Sequence, residues 1–101
     1  MRLRFHPEAI LEGIEARTWI GDDDVKQGRL FADALEDAFE RIKRRPLGYR
    51  HFEGDYRKIR VGKFRYWVIF RIRGDEIQVM AVMHQNRRPG YWKDRLRIWL
   101  G

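Results

Sequence analysis

The sequence contains neither cysteine nor serine. Without cysteine there is no disulfide framework, no thiol nucleophile and no cysteine-ligated zinc site, which is typical of proteins in a reducing compartment. Without serine there is no serine nucleophile. The three histidines, at 6, 51 and 84, share no metal-ligand spacing. We therefore expect neither a bound metal nor another cofactor.

Long apolar runs are also absent. The longest are only a few residues, whereas a membrane-spanning helix needs roughly 20. No apolar signal-peptide core follows the basic N-terminus. We expect a cytoplasmic protein without membrane association. The 101 residues, of which 44% are hydrophobic, favour one domain over residues 1–101 with a real core.

Acidic residues are scarce in the second half of the chain. Residues 1–50 carry 10 Lys or Arg and 10 Asp or Glu, whereas residues 51–101 carry 12 and 5, so the second half holds the whole net charge of +7. This asymmetry favours a surface that faces a polyanion or an acidic partner. Simple solubility is the alternative interpretation.

Helical spacing dominates the first half. Residues 1–5 alternate like a short strand, and Pro7 suits a first helical turn. The spacing of Ile10, Leu11 and Ile14 predicts a helix over residues 7–20 with these side chains on its apolar face and Glu8, Glu12 and Glu15 opposite. We expect Gly21 to break this helix.

A second helix is predicted over residues 24–44. Asp22, Asp23 and Asp24 are suited to open it, because carboxylates cap free N–H groups and favour the positive end of the helix dipole. An apolar stripe then recurs at i, i+4, i+7, i+8 and i+11, formed by Phe31, Leu35, Ala38, Phe39 and Ile42. Pro46 and Gly48 end the helix, and the two helices should form a hairpin.

The period changes to two after residue 50, which predicts strands over residues 56–61, 64–73 and 76–84. Gly74 and Asp75 form a tight turn between the last two. The last strand is apolar on both faces, so we expect it inside the sheet. The predicted fold is α+β, in the order β-α-α-β-β-β, with a helical hairpin on one face of a small antiparallel sheet. The conformation of residues 91–101 stays open.

Cationic and aromatic side chains are interleaved in this second half. Arginine binds phosphate through paired hydrogen bonds, and aromatic rings stack on unpaired bases. The candidate residues for binding a target or partner are Arg57, Arg65, Arg71, Arg73, His84, Trp92 and Arg95. A metal-free ribonuclease would also need a base for the 2′-hydroxyl, cations on the scissile phosphate and an acid for the leaving oxygen. His84, Arg87, Arg88 and Tyr91 could supply these roles. Alternatively, Tyr91 and Trp92 pack the tail onto the sheet, and His84 only ends a strand.

Three segments carry a resemblance to a known family: "FHPEA", "ALEDAFERIKRRPLGYR" and "YRKIRVGKFRYWVIFRIRGDEIQVMAVMHQNRRPGYWKDRL". Together they make nearly the whole chain similar to the RelE/ParE superfamily of bacterial type II toxins, which includes plasmid stabilisation proteins. The resemblance implies a growth-inhibiting toxin neutralised by a small antitoxin, whose extended acidic segment would wrap the basic sheet.

The superfamily divides in mechanism. RelE-like members cleave mRNA on the ribosome, and their catalytic positions fall on Lys58, Arg60, Arg87 or Arg88, and Tyr91. This sequence departs from them in two ways: Trp67 follows Tyr66 where those nucleases place an arginine, and Arg60 is a poorer proton donor than lysine. ParE-like members inhibit DNA gyrase and are not nucleases. The resemblance slightly favours the gyrase mechanism, with the nuclease and a non-toxic binding module as alternatives.

Overall fold

The computed structural model describes residues 1–95; the predicted apolar end of the tail, from Leu96 to Leu100, lies outside them. Two helices pack on one face of a five-stranded sheet, so the predicted α+β class and helical hairpin are confirmed. The elements in chain order are β1 (Arg2–Phe5), α1 (Pro7–Asp23), α2 (Val25–Arg44), β2 (His51–Glu53), β3 (Tyr56–Arg60), β4 (Tyr66–Arg73) and β5 (Glu76–His84). Short 3-10 turns at Pro46–Gly48 and Tyr91–Asp94 complete the described chain.

The sheet has the strand order β1-β5-β4-β3-β2. β2 to β5 are antiparallel as expected, but β1 pairs in parallel with β5, so the sheet is mixed. A parallel pair needs a crossover, and the helical hairpin provides it. The predicted interior position of β5 is confirmed. β2 is a short edge strand that the sequence pattern did not reveal.

The predicted stripe of α2 fills the core beneath the sheet. Phe31, Ala38 and Ile42 are almost completely buried. The Phe31 ring packs edge-on against Phe64 and Tyr66, with ring centroids 5.3 and 5.1 Å apart. This geometry adds to the burial energy of the aromatic side chains. The N-cap of α2 is Asp24, whose carboxylate accepts the N–H groups of residues 26 and 27.

The inward face of α1 was predicted wrongly. Its buried residues are Ala9, Gly13 and Ala16, whereas Ile10, Leu11 and Ile14 are about half exposed. Small side chains at i, i+4 and i+7 let α1 approach α2 and the sheet closely. That close approach turns the larger apolar side chains outward.

Gly21 does not break α1, which continues to Asp23. A Cβ placed on Gly28 of α2 would lie only 2.8 Å from the Gly21 Cα, so the two backbones nearly touch at the tip of the hairpin. Asp22 and Asp23 consequently belong to the end of α1, and only Asp24 acts at the start of α2.

A β-bulge divides β5 between the two faces of the sheet. The register with β4 shifts between Ile69 and Phe70, which leaves Met80 as an extra residue. Ile77, Val79 and Val82 therefore face the helices, while Met80 and Ala81 both lie on the opposite face, called here the open face. The simple alternation predicted for this strand fails at the bulge.

The strands flanking the next turn are shorter than predicted. β3 ends at Arg60 rather than Val61, and β4 starts at Tyr66 rather than Phe64. Val61 and Phe64 instead form the turn between them, closed by a backbone hydrogen bond of 2.9 Å, and Gly62 there has a φ of +51°. No helix among residues 1–95 combines the length and the hydropathy needed to cross a bilayer.

We predict that Gly28→Ala destabilises the fold. Alanine is favoured over glycine inside a helix by about 1 kcal/mol. Here its Cβ would collide with backbone, and overpacking costs typically about 1–3 kcal/mol. The net cost is then up to about 2 kcal/mol, and the melting temperature should fall by roughly 4–8 °C for each kcal/mol of it. Thermal unfolding followed by circular dichroism measures this.

Gly48→Ala is the matched control, because the nearest atom to its new Cβ is a side-chain carbon of Arg45 at 3.5 Å. This variant should melt close to the parent temperature. A Gly28→Ala protein that melts at or above the parent temperature would show that the backbones are not in close contact.

Candidate functional site

Charge is segregated between the two ends of the sheet. The strand pairing brings the end of β3, the start of β4 and the end of β5 together, and Gln85 N–H donates to the Arg65 carbonyl there, 2.9 Å away. Five exposed cations gather at this end, called here the basic end: Arg60, Lys63, Arg65, Arg87 and Arg88. The acidic residues of the strands and their turns lie at the other end: Glu53, Asp55, Asp75 and Glu76.

The acidic end neutralises the cations near it. Asp55 pairs with Arg73 at 2.6 Å, and this hydrogen bond lowers the pKa of Asp55. Glu76 contacts Arg2 and Arg4, and its hydrogen bond from Gln78 lowers its pKa. Cations at this end of the sheet are thus already occupied, which leaves the basic end as the surface for an anionic partner.

Lys58 and Arg60 both lie on the open face, with Trp67 beside them. Arg60 is directly opposite Trp67, which is opposite Met83. The Lys58 ammonium sits over the Trp67 ring, 4.4 Å from its centroid, and Arg60 Nε donates to the Phe64 carbonyl at 3.0 Å. Both cations are therefore engaged by neighbours within the sheet.

The segment after β5 is attached to α1 through Glu12. The Arg95 guanidinium makes two hydrogen bonds of 2.8 Å to the Glu12 carboxylate, and the Tyr91 hydroxyl donates to the same group. The Val82 backbone N–H donates to it as well, at 3.0 Å. Burial would lower the pKa of Arg95, but its hydrogen bond to Glu12 raises it.

Arg87 and His84 lie beside this attachment. The Arg87 guanidinium stacks on the Tyr91 ring, 3.9 Å from its centroid. His84 packs edge-on against Tyr66 and accepts the Asn86 N–H at its Nδ1. With Trp19 of α1, these side chains line a cleft of about 280 Å³ that opens at the basic end.

The remaining predicted residues have structural contacts. Trp92 is 1% exposed and covers Ile69, Met80 and Ala81 on the open face. Arg57 donates to the Leu47 and Tyr49 carbonyls. Arg71 is buried and donates to Gln78 at 2.7 Å, and burial lowers its pKa. Arg88 and Arg65 are exposed at the basic end.

An apolar groove between α1 and α2 was not anticipated. It encloses about 400 Å³ and opens to solvent, and its lining includes Phe5, Ile10, Ile14, Phe31, Leu35 and Phe39. Trp19 and Val25, near the hairpin tip, are 76% and 70% exposed. Exposed apolar surface such as this groove marks interaction sites.

Sequence reasoning also missed Glu12, which it placed on the outer side of α1. A signal was present in the small residues Ala9, Gly13 and Ala16, whose spacing indicates a closely packed face next to Glu12. Within the described part of the chain, no cluster of His, Asp and Glu side chains could hold a metal ion.

One protein family matches this chain. The family model described as ParE toxin of the type II toxin–antitoxin system parDE matches residues 3–89. No curated protein matches the chain significantly. The matched residues include both helices, all five strands and the basic end up to Arg88.

We predict that ionisation of Tyr91 lowers the stability of the protein at alkaline pH. Burial and the hydrogen bond to Glu12 raise the pKa of Tyr91 above its ordinary value near 10. The protonated phenol thus contributes stability below about pH 10, and this contribution is lost as the pH rises further. Tyr91→Phe should cost about 1–2 kcal/mol at about pH 8, and the difference from the parent should shrink by about pH 11.

Urea unfolding of the parent and Tyr91→Phe proteins across this range measures the difference. A stability difference that stays constant from about pH 8 to about pH 11 would contradict the buried hydrogen bond from the Tyr91 hydroxyl to Glu12.

Proposed function

The chain belongs to the ParE family of type II toxin–antitoxin toxins, and from that membership we propose that it arrests growth by inhibiting DNA gyrase. Membership also implies a cognate antitoxin. In this proposal the basic end and the adjoining cleft bind the target, with Arg87 and Arg88 as the principal contacts. The protein then acts by binding and needs no chemical step of its own.

The state of Tyr91 is the observation that carries this proposal. A metal-free nuclease needs an acid and a base free to reach the scissile phosphate and its neighbours. Here the Tyr91 hydroxyl donates a hydrogen bond to Glu12, while the Lys58 ammonium lies over the Trp67 ring. Both candidate groups are engaged inside the protein, which supports inhibition by binding.

Ribosome-dependent mRNA cleavage is the second candidate function. The exposed arginines at the basic end and the neighbouring Tyr66 and Tyr91 rings favour it, because phosphate-binding cations beside aromatic rings suit single-stranded RNA. Its catalytic set would be Lys58, Arg60, Arg87, Arg88 and Tyr91. A binding module without toxicity is the third reading.

We further propose that the antitoxin covers two surfaces. Its acidic extended segment would lie along the basic end, where exposed cations have no acidic neighbours on the strands. An apolar part of the antitoxin would occupy the groove between α1 and α2. Covering Ile10 and Ile14 would remove from water apolar side chains that the toxin alone leaves about half exposed.

We predict that the purified protein inhibits supercoiling by DNA gyrase and leaves a reporter mRNA intact in a translating extract. Arg87→Ala with Arg88→Ala should abolish the inhibition and the growth arrest while the fold is retained. Supercoiling assays, primer extension and growth curves measure these outcomes. Arg44→Ala with Arg45→Ala, at the end of α2, is the matched control and should keep full activity.

Ribosome-dependent cuts in the mRNA would instead establish the nuclease, with Lys58 and Tyr91 as the next residues to replace. Normal growth on induction without an antitoxin would overturn both toxin mechanisms and leave the binding module.

We predict that Ile14→Asp weakens the complex with the cognate antitoxin. Ile14 lines the apolar groove and is 57% exposed, so a carboxylate there would be buried by the partner at a large desolvation cost. The dissociation constant should rise by about tenfold or more, equivalent to about 1.4 kcal/mol. Isothermal titration calorimetry measures this.

Leu47→Asp is the control, because Leu47 is 72% exposed and lies in the turn after α2, away from the groove lining. Equal weakening by both variants would mean that antitoxin binding is not localised to the groove.

A further inference from the structure

We infer that Glu12 is a positioning residue that, by way of Tyr91, holds Arg87 at the basic end. The biological meaning of this inference rests on the proposed function. The contacts on which it is based do not depend on that function. The match to the family model ends at residue 89, before Tyr91 and Arg95.

The end of β1 explains why a carboxylate is needed at this place. β1 pairs with β5 only as far as Phe5 and Val79, and a last backbone bond joins His6 to Val79. Beyond that point no strand within residues 1–95 covers this edge of β5, and a buried N–H without a partner is costly. Glu12 accepts the N–H of Val82, and Arg95 donates to the Met80 carbonyl at 3.0 Å.

The Glu12 carboxylate is well suited to fix several groups at once. It is only 14% exposed, as is the Arg95 side chain that binds it. An ionised carboxylate has about four acceptor sites, and here it receives two N–H groups of Arg95, the Val82 N–H and the Tyr91 O–H. Charge-assisted bonds of this kind are stronger than neutral ones.

Tyr91 in turn contacts Arg87 through its aromatic ring. Because the phenol donates a hydrogen bond to a carboxylate, its O–H bond is polarised, electron density in the ring increases and the ring face attracts a cation more strongly. The Arg87 guanidinium lies on that face at 3.9 Å. Arg88 has no ring contact among the described residues. Glu12 thus orients one of two adjacent arginines and leaves the other to solvent.

The first experiment tests the geometry without any target. The side-chain protons of Arg87 lie in the ring current of Tyr91, so NMR should place them upfield in the parent protein. In Glu12→Gln they should move most of the way to the position that they take in Tyr91→Leu. Glutamine keeps an oxygen for the Val82 N–H, so this variant retains the edge of β5.

Glu15→Gln is the matched control, because Glu15 lines the same cleft on the exposed side of α1. It should leave the Arg87 signals unchanged. Unchanged amide signals of Phe31 and Ala38 would verify the core of each variant. Arg87 signals that stay upfield in folded Glu12→Gln would overturn the inference.

The second experiment is a mutant cycle with gyrase supercoiling as the readout. Glu12→Gln should raise the half-inhibitory concentration about two- to fivefold, the equivalent of a lost cation–π contact. The increase should disappear in an Arg87→Ala background and persist in an Arg88→Ala background. An increase that persists in both backgrounds would mean that Glu12 acts only by stabilising the fold, and would overturn the inference.

The two experiments separate the inference from the proposed function. If the parent protein does not inhibit gyrase, the proposed mechanism fails, and the NMR result alone still decides whether Glu12 positions Arg87.

Discussion

The carboxylate of Glu12 joins three parts of the chain that are far apart in sequence. It belongs to α1, it completes the edge of β5 where β1 ends, and it binds Tyr91 and Arg95 from the following segment. Without it a buried backbone N–H would lose its acceptor and the largely buried Arg95 guanidinium its counter-ion, and breaking a buried ion pair is strongly destabilising. The placement of Trp92 over the open face and of Arg87 over Tyr91 depends on this attachment.

The packing of α1 leaves an apolar surface exposed on its outer side. Ala9, Gly13 and Ala16 bring the helix close to its neighbours, and Gly21 meets Gly28 at the tip of the hairpin. The larger side chains Ile10, Leu11 and Ile14 are then left on the solvent side. Exposed apolar surface of this kind marks interaction sites, and membership of the toxin family implies an antitoxin, which we propose as the partner that covers it.

The two ends of the sheet differ in charge. Asp55 and Glu76 pair with nearby arginines at one end, so attraction for an anionic partner concentrates at the other. The net charge of the second half did predict such a surface, but not which arginines form it. Of the residues suggested by the sequence, Arg65, Arg87 and Arg88 lie exposed there, whereas Arg71 is buried and Arg73 is paired.

The sequence by itself determined the order of the two helices and of every strand except β2, the apolar stripe of α2, the turn at Gly74 and the asymmetry of charge. These properties follow from local periodicity and composition, which depend only on residues close together in the sequence. Tertiary structure decided the inward face of α1, the reversal of faces at Met80, the parallel pairing of β1 and the role of Glu12. Each of these depends on contacts between residues distant in sequence, because close packing and unpaired backbone groups are defined only once the elements meet.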